Sequence, residues 1–193
     1  MTVSTEDKAH WVKEYGLEAE AKFCELVQAE LHLDLQINPA KLPPLNDKYA
    51  PDLLLDGRTL GDLKQQLAPF FQARERFNLD PNWAVAFNVK DYRRYKEHGY
   101  DRTGLLLFYR VIYRRDTKRL LNVDYAILGL DGIWLVPFER LAFLIESNML
   151  STHEYKRRQE DQAGNARDSY YFDLRWFQCL KRWPSGEIYV EAE

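Results

Sequence analysis

Apolar residues at Leu17, Ala21, Cys24, Val27 and Leu31 recur at steps of three and four, which predicts an amphipathic helix over residues 8–31. The pattern breaks at residues 38–44, where three prolines predict a loop. Two short apolar runs, 53–55 and 60–65, then flank Asp56-Gly57, a dipeptide that favours a tight hairpin. A short helix is predicted over 69–77 and a buried strand over 83–89. A further helix over 91–98 ends at Gly99. The run 105–113 (LLLFYRVIY) predicts a strong strand. Runs 125–130 and 133–137 flank Asp131-Gly132 and predict a second hairpin, followed by an amphipathic helix over 138–148. A polar stretch, 153–168, precedes an aromatic run, 170–183, expected to form one strand packed on the body.

Helices interleaved with strands predict an α/β or α+β arrangement around a mixed sheet. The 193 residues fit a single domain, with a C-terminal extension from about residue 150. Composition changes this picture little. With 46% hydrophobic and 30% charged residues the chain can bury an ordinary globular core. Cys24 and Cys179 lack metal-ligand spacing and are expected to be reduced core residues. Residues 1–10 carry no apolar leader, and no apolar run approaches the ~20 residues needed to cross a bilayer. Together these predict a cytoplasmic location without membrane contact.

Charge adds more. The net charge is −3, yet residues 1–52 hold ten acids against five bases, while residues 90–119 hold ten bases against four acids. The basic middle makes Arg93, Arg94 and Lys96 candidates for contacting nucleic-acid phosphates, with Arg110, Arg114 and Arg115 next. Tyr92 and Tyr95 lie among them, although tyrosines at helical spacing more often pack. The YKRR segment at 155–158 is a short basic patch of the kind that is usually solvated. Nucleotide cofactors lack support, because no Walker loop or GxGxxG is present. His10, His32, His98 and His153 show no zinc spacing, and no GxSxG elbow marks a serine nucleophile.

The candidate chemistry lies at the first hairpin. Side chains alternate along a strand, so Asp62 and Lys64 share a face while Leu63 points the other way. Gln66 has the same parity and is a candidate for contacting nucleic acid or a water, although a surface strand amide is the commoner role. The turn decides whether Asp52 joins them. A two-residue Asp56-Gly57 loop sets Asp52 opposite Gly61, on the wrong face. A three-residue loop of Leu55, Asp56 and Gly57 sets it opposite Leu60, on the face of Asp62 and Lys64. Glu20 falls within the apolar stripe of the first helix, where an unpaired charge is costly and a cation is a natural partner. Glu18, on the polar side, is the second choice.

Pro51-Asp52 followed by Asp62-Leu63-Lys64 resembles the signature of the PD-(D/E)xK, restriction-endonuclease-like nuclease superfamily. The resemblance implies a mixed central sheet flanked by helices and a Mg2+ site, with Mn2+ able to substitute. It implies Asp52, Asp62 and the Leu63 carbonyl as metal ligands, a helix acid such as Glu20 beside them, and Lys64 orienting the attacking water. The expected reaction is phosphodiester hydrolysis, on DNA before RNA. Two alternatives stand beside it: an inactive nucleic-acid-binding or protein-interaction module with the same fold, and an RNA-processing nuclease. The aromatic tail, with Trp176, Phe177 and Trp183, packs internally or forms a homodimer surface.

Overall fold

The computed structural model describes residues 5–47, 49–113, 129–153 and 168–184, with side chains from Gly16 onward. Arg114, Arg115, residues 125–128 of the second expected hairpin and the 155–158 basic patch lie outside the described residues. The chain divides into two compact units, Met1–Leu63 and Lys64–Glu193.

The first unit opens with α1 (Thr5–Leu31) and continues through β1 (Leu35–Ile37), a 3-10 turn (Pro39–Lys41), β2 (Leu53–Leu55) and most of β3 (Thr59–Gln66). The three strands form an antiparallel meander, on whose first strand α1 packs. The buried line of α1 runs through Glu20, Phe23 and Val27. Of the predicted stripe only Val27 is fully buried; Leu17, Ala21, Cys24 and Leu31 keep partial exposure. Phe23 is the largest apolar side chain in that stretch, so burying it gains most, and the helix turns to face it inward. Glu20, one turn earlier, turns in with it. The predicted loop at 38–44 is partly ordered, since Asn38 caps the 3-10 turn by accepting from the Ala40 N–H at 3.1 Å.

The hairpin turn is three residues long, and it is shifted by one from the loop of Leu55, Asp56 and Gly57 considered above. Leu55 pairs with Thr59, leaving Asp56, Gly57 and Arg58 in the turn. Asp56 and Gly57 both take left-handed φ, 50° and 65°. Glycine adopts it at no cost and aspartate more readily than most residues, so the turn can start one residue later than expected.

The second unit contains α2 (Ala73–Phe77), β4 (Ala84–Asn88), α3 (Val89–Glu97), β5 (Leu106–Ile112), β6 (Asp131–Pro137) and α4 (Phe138–Glu146). It continues with β7 (Ser151–His153), β8 (Ser169–Asp173), a second 3-10 turn (Leu174–Trp176) and β9 (Gln178–Trp183). The architecture is α/β. One mixed sheet runs in the order β1-β2-β3-β5-β6-β9, and a second sheet runs β4-β8-β7. Leu107, Phe108, Tyr109, Arg110 and Val111 of β5 are all buried, a run typical of a strand covered on both faces, in which the one charged member, Arg110, is paired with Asp131.

Three expectations change here. Asp131-Gly132 opens β6 and is no turn. A Cβ on Gly132 would stand 2.6 Å from the Trp134 ring and 2.8 Å from the Lys181 carbonyl oxygen, so the glycine serves close approach rather than a bend. The aromatic run 170–183 is two strands in two sheets, split by the 3-10 turn that Asp173 caps. Cys179 is exposed on β9, an edge strand, and is not a core residue; Cys24 is half-buried. No described helix is long and apolar enough to cross a membrane.

Candidate active site

The hairpin register runs to Leu53↔Gly61, and Asp52 precedes β2 as a bend, one step from the position level with Asp62. Strand parity continued through that step would put the two carboxylates on one face. Asp62 is buried, at 2% exposure. Asp52 accepts from the Leu63 N–H at 3.2 Å, which fixes its carboxylate along β3. From α1, Glu20 is 8% exposed and points the same way as the buried Phe23 and Val27. Glu18 stays at the surface, paired with Lys22 at 2.7 Å.

A fourth residue, which sequence reasoning missed, ties this cluster together. The Lys41 ammonium donates to Glu20 Oε1 at 2.9 Å and to Asp52 Oδ1. The backbone around it explains the placement. The Asn38 side chain donates to the Pro51 carbonyl at 2.9 Å, and its N–H donates to the Asp52 carbonyl at 2.9 Å. Asn38 thus holds the 3-10 turn carrying Lys41 against the strand end carrying Asp52. Burial alone would lower the Lys41 pKa, but Asp52 and Glu20 outweigh it and hold the ammonium above its ordinary value. Burial, then the Glu20 charge, push the nearby Cys24 thiol up to about 11, so it stays protonated at neutral pH.

Whether these residues suit a metal can be judged from the donors. Among the described residues, no three His, Cys, Asp or Glu side chains gather as a metal-holding group. Two carboxylates do converge on one point, however, and a cation already stands there. Mg2+ commonly takes one or two carboxylates and fills its shell with water and phosphate oxygen. Glu20 Oε2 is buried without a hydrogen-bond partner, so one acceptor of this pair is left over for a cation or its water. The donor set fits a hard divalent ion, provided Lys41 moves out.

The other predicted residues are placed as follows. Lys64 lies two positions after Asp62 on β3, the same-face spacing. Its ammonium donates to Asp91 Oδ2 at 2.7 Å and stands 5.7 Å and 5.6 Å from the Phe87 and Tyr95 ring centres. The Gln66 amide is taken up internally by the Ala84 carbonyl at 2.9 Å and the Tyr113 hydroxyl at 2.6 Å. Arg94 pairs with Asp91 at 3.2 Å and lies over the Tyr95 ring. Lys96 is shared by Asp101 at 2.6 Å and Glu146 at 2.8 Å. Only Arg93 of this trio is exposed. Tyr95 is fully buried and packs, with Phe138 edge-on at 5.3 Å.

No protein-family model matches the sequence, and no curated protein matches it. Among solved structures the chain is similar to a nuclease from a fusselovirus, with a TM-score of 0.43 and 13% identity over 93% of this chain and 90% of that one. A likeness of that size leaves the chemistry to be argued from the residues.

Proposed function

We propose that the chain is a metal-dependent phosphodiesterase of the PD-(D/E)xK kind that hydrolyses nucleic acid, with DNA as the first substrate to test and RNA as the second. The observation that carries this reading is the three-residue hairpin turn, whose register, continued one step past Leu53↔Gly61, would bring Asp52 level with Asp62, while Glu20 turns inward from α1. Lys64, at same-face spacing from Asp62, adds the ammonium of the motif.

Glu20 and Asp52, the two carboxylates that converge, would hold Mg2+ or Mn2+, and Asp62 and the Leu63 carbonyl are the further oxygen donors that the motif implies. When bound, such an ion polarises a phosphoryl oxygen and makes its water more acidic. The chain's own residues do the rest. Asp52 is oriented by the Leu63 N–H, so its carboxylate keeps one direction through turnover. Lys64 orients the attacking water through its N–H donors, and Asp91 fixes the ammonium until substrate arrives. Asp62, buried on β3, would supply a further carboxylate oxygen to the cation.

An inactive binding module is the second reading, favoured by Lys64 being bonded to Asp91 and Lys41 to Glu20 and Asp52. Nicking of supercoiled plasmid in Mg2+ or Mn2+, with a chelator control, separates the two. Asp62→Asn and Lys64→Ala should abolish cleavage while the melting transition remains cooperative. Absence of metal-dependent cleavage of duplex, branched and single-stranded DNA and of RNA would sink the nuclease reading.

A further inference from the structure

We propose that Lys41 is a resident counter-cation of the carboxylate site, which a divalent ion must displace before the site is loaded. The inference rests on the metal-dependent reading above and assigns a positioning role to a residue outside the motif.

Three observations carry it. The first is position. One ammonium bonds both Glu20 and Asp52, with side-chain exposures of 16%, 11% and 19% for Lys41, Glu20 and Asp52. This is the point where the two carboxylates converge. The second is incomplete satisfaction. Lys41 covers Oε1 of Glu20 and leaves the buried Oε2 without a partner. Glu20 and Asp52 carry two negative charges and Lys41 returns one, so the trio keeps an uncompensated charge that a divalent ion would remove. The third is the anchoring. Asn38 caps the turn, and the Lys41 N–H donates to the Asn38 carbonyl at 2.9 Å. The backbone therefore stays while the four-carbon stem swings. The chain from Leu42 to Asp47 is exposed, so solvent lies immediately beyond the lysine.

Metal-free, the lysine stops two part-buried carboxylates from repelling each other and keeps α1 in register with the hairpin. Metal-bound, the same lysine would be a like charge beside the ion and must leave. The cost of that exchange lowers apparent metal affinity: if the lysine-out arrangement is populated at about one part in ten or less, affinity falls about tenfold or more.

The test is Mn2+ titration of the full chain by calorimetry, with thermal melting in chelator and in Mn2+, on the wild type, Lys41→Met and Lys41→Arg. Lys41→Met should bind Mn2+ about tenfold tighter than the wild type. It should melt lower in chelator and recover the loss in Mn2+. Lys41→Arg should keep the metal-free melting point. A lysine that only braces the fold predicts affinity that is unchanged or weaker. Equal affinity in wild type and Lys41→Met overturns the inference and leaves the metal site standing; no Mn2+ binding by either overturns both. Should Lys41→Met not fold, amine acylation of the wild type read by mass spectrometry decides. Lys41 should be protected in chelator and modified at saturating Mn2+, and unchanged protection overturns the displacement.

Discussion

Among the described residues, each unit shows a lysine held between two carboxylates. In the first, Lys41 joins Glu20 and Asp52; in the second, Lys96 joins Asp101 and Glu146. The charge inventory is identical and the setting is not. Lys41 sits on a capped turn among side chains less than one-fifth exposed. Lys96 sits on a surface helix, one-third exposed, with Glu146 half exposed. Water screens the second trio and supplies whatever bonds it lacks. The first trio has less of that help, which is why an unmatched acceptor on the buried Glu20 matters there. The difference teaches that a lysine–carboxylate cluster signals a site through burial and unmet bonding capacity, not through charge count.

The largest expected contrast is in cleavage. Asp52→Asn should lower metal-dependent nicking by about a hundredfold or more, whereas Lys96→Ala should leave it unchanged; a comparable loss in both would erase the distinction. Stability comes next. In chelator, Lys41→Ala should cost about 3 kcal/mol, because it strands part-buried carboxylates. Lys96→Ala should cost less than about 1 kcal/mol, the usual worth of a surface pair. Urea denaturation of the two variants measures both.

Smaller still is the effect on nucleic-acid binding. Arg94 and Lys96 are already committed to Asp91, Asp101 and Glu146, so of the three basic residues on α3 only Arg93 is offered to phosphate. Arg93→Ala should flatten the slope of log affinity against log salt by about one unit on duplex DNA. The triple change with Arg94 and Lys96 should add little; a loss near three units would show that the helix surrenders its internal pairs on binding.

The smallest effect is in pH. Hydrogen bonds from Lys96 hold Asp101 and Glu146 below their ordinary carboxylate values. A depressed folded-state pKa contributes stability above the unfolded value, near about 4, and loses it as pH falls through the folded value. The melting difference between wild type and Lys96→Ala should therefore be flat at neutral pH and shrink in acid, as pH falls through the two depressed carboxylate values. Persistence of the difference into acid would mean that the ion pairs are not its source.

Much of this was legible in the sequence, and the gaps have physical causes. Parity along β3 gave Asp62 and Lys64, and it stated that Asp52 would join them only across an odd loop. Which odd loop formed depended on Asp56 accepting left-handed backbone, a preference too weak to read from one dipeptide. Glu20 was reached by counting along α1, although the stripe used for the count was off; Phe23 set the true face. The Asp131-Gly132 pair reads as a turn in any local window, because the Trp134 ring and the β9 backbone that require the glycine are visible only in three dimensions. Lys41 had no signal at all. It stands twenty-one residues from Glu20 and eleven from Asp52, in a segment whose prolines spoke only of a loop.

Asn38 draws these threads to one clasp. Its main chain and side chain bond Pro51 and Asp52, and its own turn carries Lys41, so both ends of the 38–52 excursion are tied off at a single residue. What lies in between folds back on the same turn: the Asp47 N–H donates to the Ala40 carbonyl at 2.8 Å and the Asn46 N–H to the Leu42 carbonyl at 3.1 Å. The turn that carries Lys41 is therefore gripped from both sides, by Asn38 and by Asp47, and a peptide tag meant to spare the spacing of ammonium and carboxylate belongs at the exposed tip around Leu45, at 69% exposure, and not at Asp47.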